Sequence, residues 1–154
     1  MSSVSEFQKL FIQLDGSPLS KIHALKDFGN SLFRQHQFDF AGDCYDKACR
    51  QLCVNLKDRN YFDLNSTVSL AISLCLNLAA CSIKLRAFDG ALIICSMVLT
   101  FFPNNSKALF RKAVALRNLN RISEACVILK EAQALEPHNK DIIRELNEVC
   151  SPRD

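Results

Sequence analysis

The sequence predicts an all-α fold of stacked helical hairpins, and three observations predict it. Long segments carry apolar residues at helical rather than alternating spacing. Only four Gly and four Pro punctuate 154 residues, and no Gly/Ser-rich or Pro-rich linker divides them. Small and Pro residues also recur in register: Ala79 with Ala113, Ala91 with Ala125, and Pro103 with Pro137 each lie 34 residues apart. Helices that cross closely need small residues at the crossing, and a Pro ends one helix before the next begins.

The elements follow in order. Ser3–Leu14 is predicted as an amphipathic helix through Phe7, Leu10, Phe11 and Leu14, ending at Asp15 and Gly16. Residues 1–16 are therefore an N-terminal segment ahead of a repeat domain over 17–150. The first pair is Pro18–Gln35 with Phe38–Leu56, and Ser17 caps it with Pro18 at the first helical position. Here Gly29, Ala41, Tyr45 and Ala48 correspond to Ala113, Ala125, Leu129 and Ala132. The step from Ala41 to Ala91 is 50 residues, so extra chain is placed around Gln51–Asn65, with a loop at Lys57-Asp58-Arg59-Asn60. Ser66–Arg86 with Phe88–Phe102, and Asn105–Leu119 with Ile122–Leu135, form the next two pairs. A last helix, Asn139–Val149, turns Ile142, Ile143, Leu146 and Val149 inward. Its Lys140, Asp141, Arg144 and Glu145 are expected to give the polar outer face of a terminal cap.

A 34-residue helix-turn-helix unit with small, aromatic and Pro positions in this order resembles the tetratricopeptide repeat (TPR). Three units cover roughly Leu19–Pro137. The resemblance implies a TPR superhelix of three repeats plus a C-terminal capping helix. It also implies that the first helix of each pair lines a concave groove, where function is to be sought.

Composition narrows the function classes. Apolar residues make up 49% and charged residues 23%, enough to bury a core within one compact domain. The formal net charge of +3 does not by itself argue for nucleic acid. Asn104–Ser123, however, holds Lys107, Arg111, Lys112, Arg117 and Arg121 with no acid, which predicts a local positive potential. Met1–Gln8 lacks the apolar stretch of a secretory signal, and the apolar run Ala91–Phe102 is too short to span a bilayer. The eight Cys include no Cys-x-x-Cys pair and lie within apolar helical patterns, so free thiols in a reducing compartment are expected. That places the protein in the cytoplasm, with the nucleus as the other reducing choice. His23, His36 and His138 are scattered, and no phosphate loop, nucleophile elbow or grouped zinc ligands occur. Neither an enzyme nor a cofactor is expected, and the chain is expected to be a monomer that binds no membrane.

Five residues carry the functional expectation. Lys26 and Asn30 are four apart on the first inner helix, Asn77 lies on the second, and Lys107 and Arg111 are four apart on the third. An amide within the apolar run Leu74–Ala80 needs a partner, and two like charges one turn apart cost a helix a few tenths of a kcal/mol without an anion. The set resembles the carboxylate clamp of chaperone-binding TPR proteins. That resemblance implies binding of the C-terminal Glu-Glu-Val-Asp tail of heat-shock protein 90 or heat-shock protein 70. The lysines would supply point charges, Arg111 a planar fork, and the asparagines donor and acceptor groups for an extended chain. Lys84 and Asn118, each seven residues beyond a clamp position, are second-rank contacts for upstream acids. Leu76–Cys81 followed by Lys84-Leu85-Arg86 resembles the repeats of large immunophilins. Only the residues up to Ser17 precede Pro18, so an isomerase domain is not expected. The alternative is a TPR scaffold that uses its convex face or its Phe7/Leu10/Phe11 helix.

Overall fold

The computed structural model describes residues 17–56 and 63–150. Among them are seven helices and no strand: α1 (Pro18–Arg34), α2 (Phe38–Asn55), α3 (Leu64–Lys84), α4 (Phe88–Phe101), α5 (Ser106–Asn118), α6 (Ile122–Leu135) and α7 (Lys140–Cys150). The expected helix at Ser3–Leu14 and the loop at Lys57–Asn60 lie outside the described residues.

The helix ends show why these segments stop and start. At α1, the Ser17 hydroxyl oxygen accepts from the Ser20 N–H at 3.3 Å and Pro18 takes the first position, as the sequence predicts. α3 begins two residues before the expected Ser66. The Asp63 carboxylate accepts from the Ser66 N–H at 3.0 Å and from its hydroxyl at 2.9 Å, and it is held below the usual carboxylate range by those bonds. The three hairpin turns share one geometry. His36, Arg86 and Asn120 have φ of 60°, 61° and 62°, and the next residue's N–H reaches back to the carbonyls of Leu32, Ser82 and Leu116 at 2.8–2.9 Å. This is the left-handed termination in which glycine is usual. The turns recur at the same 34- and 50-residue steps as the small residues.

The chain divides into two compact units, Met1–Cys81 and Ser82–Asp154, with the dividing point inside α3. In the first unit, Ile22, Leu25 and Leu32 of α1 meet Tyr45, Ala48 and Leu52 of α2 and Leu70, Leu74 and Cys81 of α3. α3 is 21 residues long with a mean hydropathy of 1.7 over its most apolar window, enough by length and composition to cross a membrane. A core helix has the same composition, and Leu70 and Leu74 are 5% and 0% exposed. Gly29 is needed on α1 for close packing: a Cβ there would lie 2.8 Å from Tyr45 Cε1.

In the second unit, Leu109, Ala113 and Leu116 of α5 pack with Ala125, Leu129 and Ala132 of α6 and with Ile142 and Val149 of α7. The repeat alanines Ala79, Ala91, Ala113 and Ala125 are all fully buried. One expectation about the cap is corrected. Glu145 does not belong to an outer face: it is 7% exposed, and its Oε1 lies 2.8 Å from Arg117 Nε. Burial pushes its carboxyl above the ordinary value, and Arg117 opposes that shift. Position 145 falls three after Ile142 and four before Val149, which turns it inward with them.

The cysteines also depart from expectation. Cys126 and Cys150 form a disulfide with a Cα–Cα distance of 5.9 Å, tying α6 to the end of α7. They lie 24 residues apart, and only the packing of these two helices brings them together. The other six form no disulfide; Cys44, Cys81 and Cys95 are buried, and burial pushes the Cys44 thiol up to about 11. Cys49 on α2 hydrogen-bonds to Cys75 on α3. That bond lowers Cys75 to about 7 and raises Cys49.

Candidate functional site

In the first unit, one polar relay joins Asn30 and Asn77, two of the positions the sequence singles out. The Tyr45 hydroxyl on α2 donates to Asn30 Oδ1 on α1 at 2.7 Å, and Asn77 Nδ2 on α3 donates to the same oxygen at 3.2 Å. Asn77 thus has the partner its apolar setting demands. Both bonds use the oxygen of Asn30, so its Nδ2 remains a donor for a ligand carbonyl or carboxylate. Each bond contributes about 1 kcal/mol and fixes two short side chains before any ligand arrives. Tyr45 is 2% exposed and reaches Asn30 only because Gly29, one residue earlier on α1, leaves room for its ring. Lys26 stands half-buried one turn before Asn30 and makes no ion pair among the described residues. Tyr45 was absent from the sequence-based set; its aromatic position in the repeat was legible, but its hydroxyl bond was not.

The second unit holds Lys107 and Arg111, both on α5, in a pocket of about 250 Å³ that Phe110, Glu136, Asn139 and Ile142 also line. Lys107 is exposed and Arg111 half-buried. Asn105 starts this helix by accepting from the Ala108 N–H at 2.9 Å, which sets Lys107 and Arg111 in its first two turns. Glu136, at the end of α6, accepts from the Ser106 hydroxyl and from Asn139 Nδ2, the latter at 2.6 Å. Those two bonds, with the nearby Lys107 ammonium, hold its carboxyl below the ordinary value.

The broad positive potential expected over Asn104–Ser123 is narrowed. Arg117 is engaged by Glu145 at 2.8 Å and Glu148 at 2.9 Å, while Arg121 grips both carboxylate oxygens of Glu124 at 2.7 Å. Two of those acids come from α7, and the third lies one residue past the acid-free stretch. Of the second-rank positions, Lys84 is exposed at the last residue of α3. Asn118 donates its Nδ2 to the Val114 carbonyl at 2.8 Å, which weakens it as a donor to an incoming acid.

No family model matches the chain. It is 34% identical over 123 residues to the peptidyl-prolyl cis-trans isomerase FKBP42 of Arabidopsis thaliana, covering 79% of this chain and 34% of that protein. It is 30% identical over 136 residues to the Hsp70/Hsp90 co-chaperone CNS1 of Saccharomyces cerevisiae, covering 88% and 32%. The chain thus spans about a third of the length of either relative. Among solved structures, the C-terminal TPR-containing domain of a Plasmodium falciparum FK506-binding protein matches with a TM-score of 0.70 and 27% identity, over 88% of this chain and 91% of that one. The first TPR of Spaghetti (RPAP3), solved with the HSP90 peptide SRMEEVD, matches with a TM-score of 0.65 and 26% identity, over 84% and 90%. The chain is a tetratricopeptide-repeat domain whose repeats resemble those of FK506-binding immunophilins and Hsp70/Hsp90 co-chaperones.

Proposed function

We propose that this domain is a chaperone-binding adaptor that takes the acidic C-terminal tail of heat-shock protein 90 or heat-shock protein 70. The observation that carries the reading is the Tyr45–Asn30–Asn77 relay, which prepares amides from two inner helices for an extended peptide end. The match to a TPR bound to an HSP90 peptide and the relation to an Hsp70/Hsp90 co-chaperone support it. Lys26, Asn30 and Asn77 in the first unit, and Lys107 and Arg111 in the second, are assigned to one chain end. Residues 17–150 act as the receptor, with Lys84 ahead of Asn118 as an outer contact. A binding role needs no catalyst, metal or cofactor. Partners of this kind support a location in the cytoplasm, with the nucleus as the alternative.

The test is a titration with a peptide ending in Glu-Glu-Val-Asp, as free acid and as C-terminal amide. The free acid binds with a Kd in the micromolar range, roughly −8 kcal/mol, and amidation abolishes measurable binding. Equal affinity for both forms would discard terminal-carboxylate capture.

A second reading has one observation in its favour. Ile93, Met97 and Phe101 form an i, i+4, i+8 apolar stripe on α4 and are 69%, 50% and 73% exposed. A scaffold that docks a protein through that stripe would lose its partner on Ile93→Lys and keep it when Lys107 and Arg111 are removed.

A further inference from the structure

The pocket that holds Lys107 and Arg111 contains an anion of its own. Glu136 is fixed at three points: it ends α6, takes the hydroxyl of Ser106 on one oxygen, and takes Asn139 Nδ2 on the other at 2.6 Å. Asn139 is itself fixed, since its Oδ1 accepts the Asp141 and Ile142 N–H groups at 3.0 and 3.3 Å and starts α7. The carboxylate cannot swing away from its place beside Lys107 without breaking these bonds. The other acid of the pocket, Asp141, is bound to Arg144 at 2.8 Å. Glu136 is therefore the carboxylate left beside Lys107 in this pocket; its carboxyl is held below the ordinary value chiefly by the Ser106 and Asn139 bonds, with the Lys107 ammonium adding to the effect.

We propose that Glu136 is a specificity-determining residue of this half-site, a built-in anion that partly cancels Lys107 and holds down the attraction for acidic ligands. The proposal rests on the peptide-binding reading above and deepens it. A site of bare cations gathers any acidic stretch, whereas a discounted charge leaves the directed bonds to a chain end as the larger share of binding. Those directed bonds distinguish a free C-terminus from an internal run of acids.

Glu136→Gln is the direct test, because glutamine keeps the size and an acceptor for Ser106 while removing the charge. Wild type and E136Q are titrated with the free-acid and amidated tail peptides at low and high salt, with circular dichroism as the folding control. E136Q is expected to bind the free acid about three-fold tighter at low salt, with a steeper loss as salt rises. An amidated peptide given one extra internal Glu to match the charge of the free acid, silent against wild type, is expected to become measurable with E136Q at low salt. Unchanged or weaker binding by a folded E136Q overturns this inference alone. Failure of the wild type to bind the free acid overturns the peptide-binding reading, and this inference with it. If E136Q does not fold, Lys107→Gln replaces it: the Glu136 carboxyl, followed by carbon NMR, must titrate at higher pH in that variant. No movement overturns the proposal.

Discussion

The two shares of the proposed site are built on opposite plans. In the first unit, Asn30 and Asn77 are short side chains already joined to each other and to buried Tyr45. In the second, Lys107 and Arg111 are long side chains in an open pocket, tempered by a fixed carboxylate. Short, bonded amides lose little freedom when a peptide arrives, but they are also part of the packing. Long cations lose more freedom and carry most of the charge, and neither belongs to the buried cluster of the second unit. The lesson is that damage to the amide share should appear in both stability and binding. Damage to the cation share should appear in binding alone.

Gly29→Ala gives the largest expected stability effect. The added methyl meets the Tyr45 ring at 2.8–3.1 Å and must displace it from its bond to Asn30. Overpacking of this kind costs about 2 kcal/mol, more than the roughly 1 kcal/mol that alanine gains in helix propensity. Denaturant unfolding should show the net loss, and peptide affinity should fall with it. A variant as stable as wild type would mean that the relay yields without cost. Tyr45→Phe is the finer probe. It removes one hydroxyl while keeping the ring, and is expected to lower stability by about 1 kcal/mol and tail affinity by only a few-fold. An effect on stability with none on affinity would separate the relay from the site.

Much of this arrangement could be read from the sequence because it depends on local periodicity. Every paired helix ends within two residues of its predicted bound, since caps such as Ser17 and Asn105 and turns at His36, Arg86 and Asn120 are local devices. The relation of Gly29 to close packing followed from its alignment with Ala113. Interactions that join distant positions were not legible. Cys126 and Cys150 look like two more apolar cysteines until α6 and α7 pack together. Glu145 and Glu148 neutralise Arg117 from a helix that begins 23 residues later, so a charge count over one stretch overstated the positive potential. Glu136 escaped notice for the same reason: its sequence position says nothing of Ser106, 30 residues before it.

The central claim is that both shares of the site take the same peptide end. Calorimetric titration of the free-acid Glu-Glu-Val-Asp peptide into wild type, Asn30→Ala/Asn77→Ala and Lys107→Ala/Arg111→Ala tests it most directly. The account predicts a loss of about ten-fold for the amide pair and of about a hundred-fold or more for the cation pair. Thermal melts are expected to move only for the amide pair. Wild-type affinity in either folded double variant would contradict it.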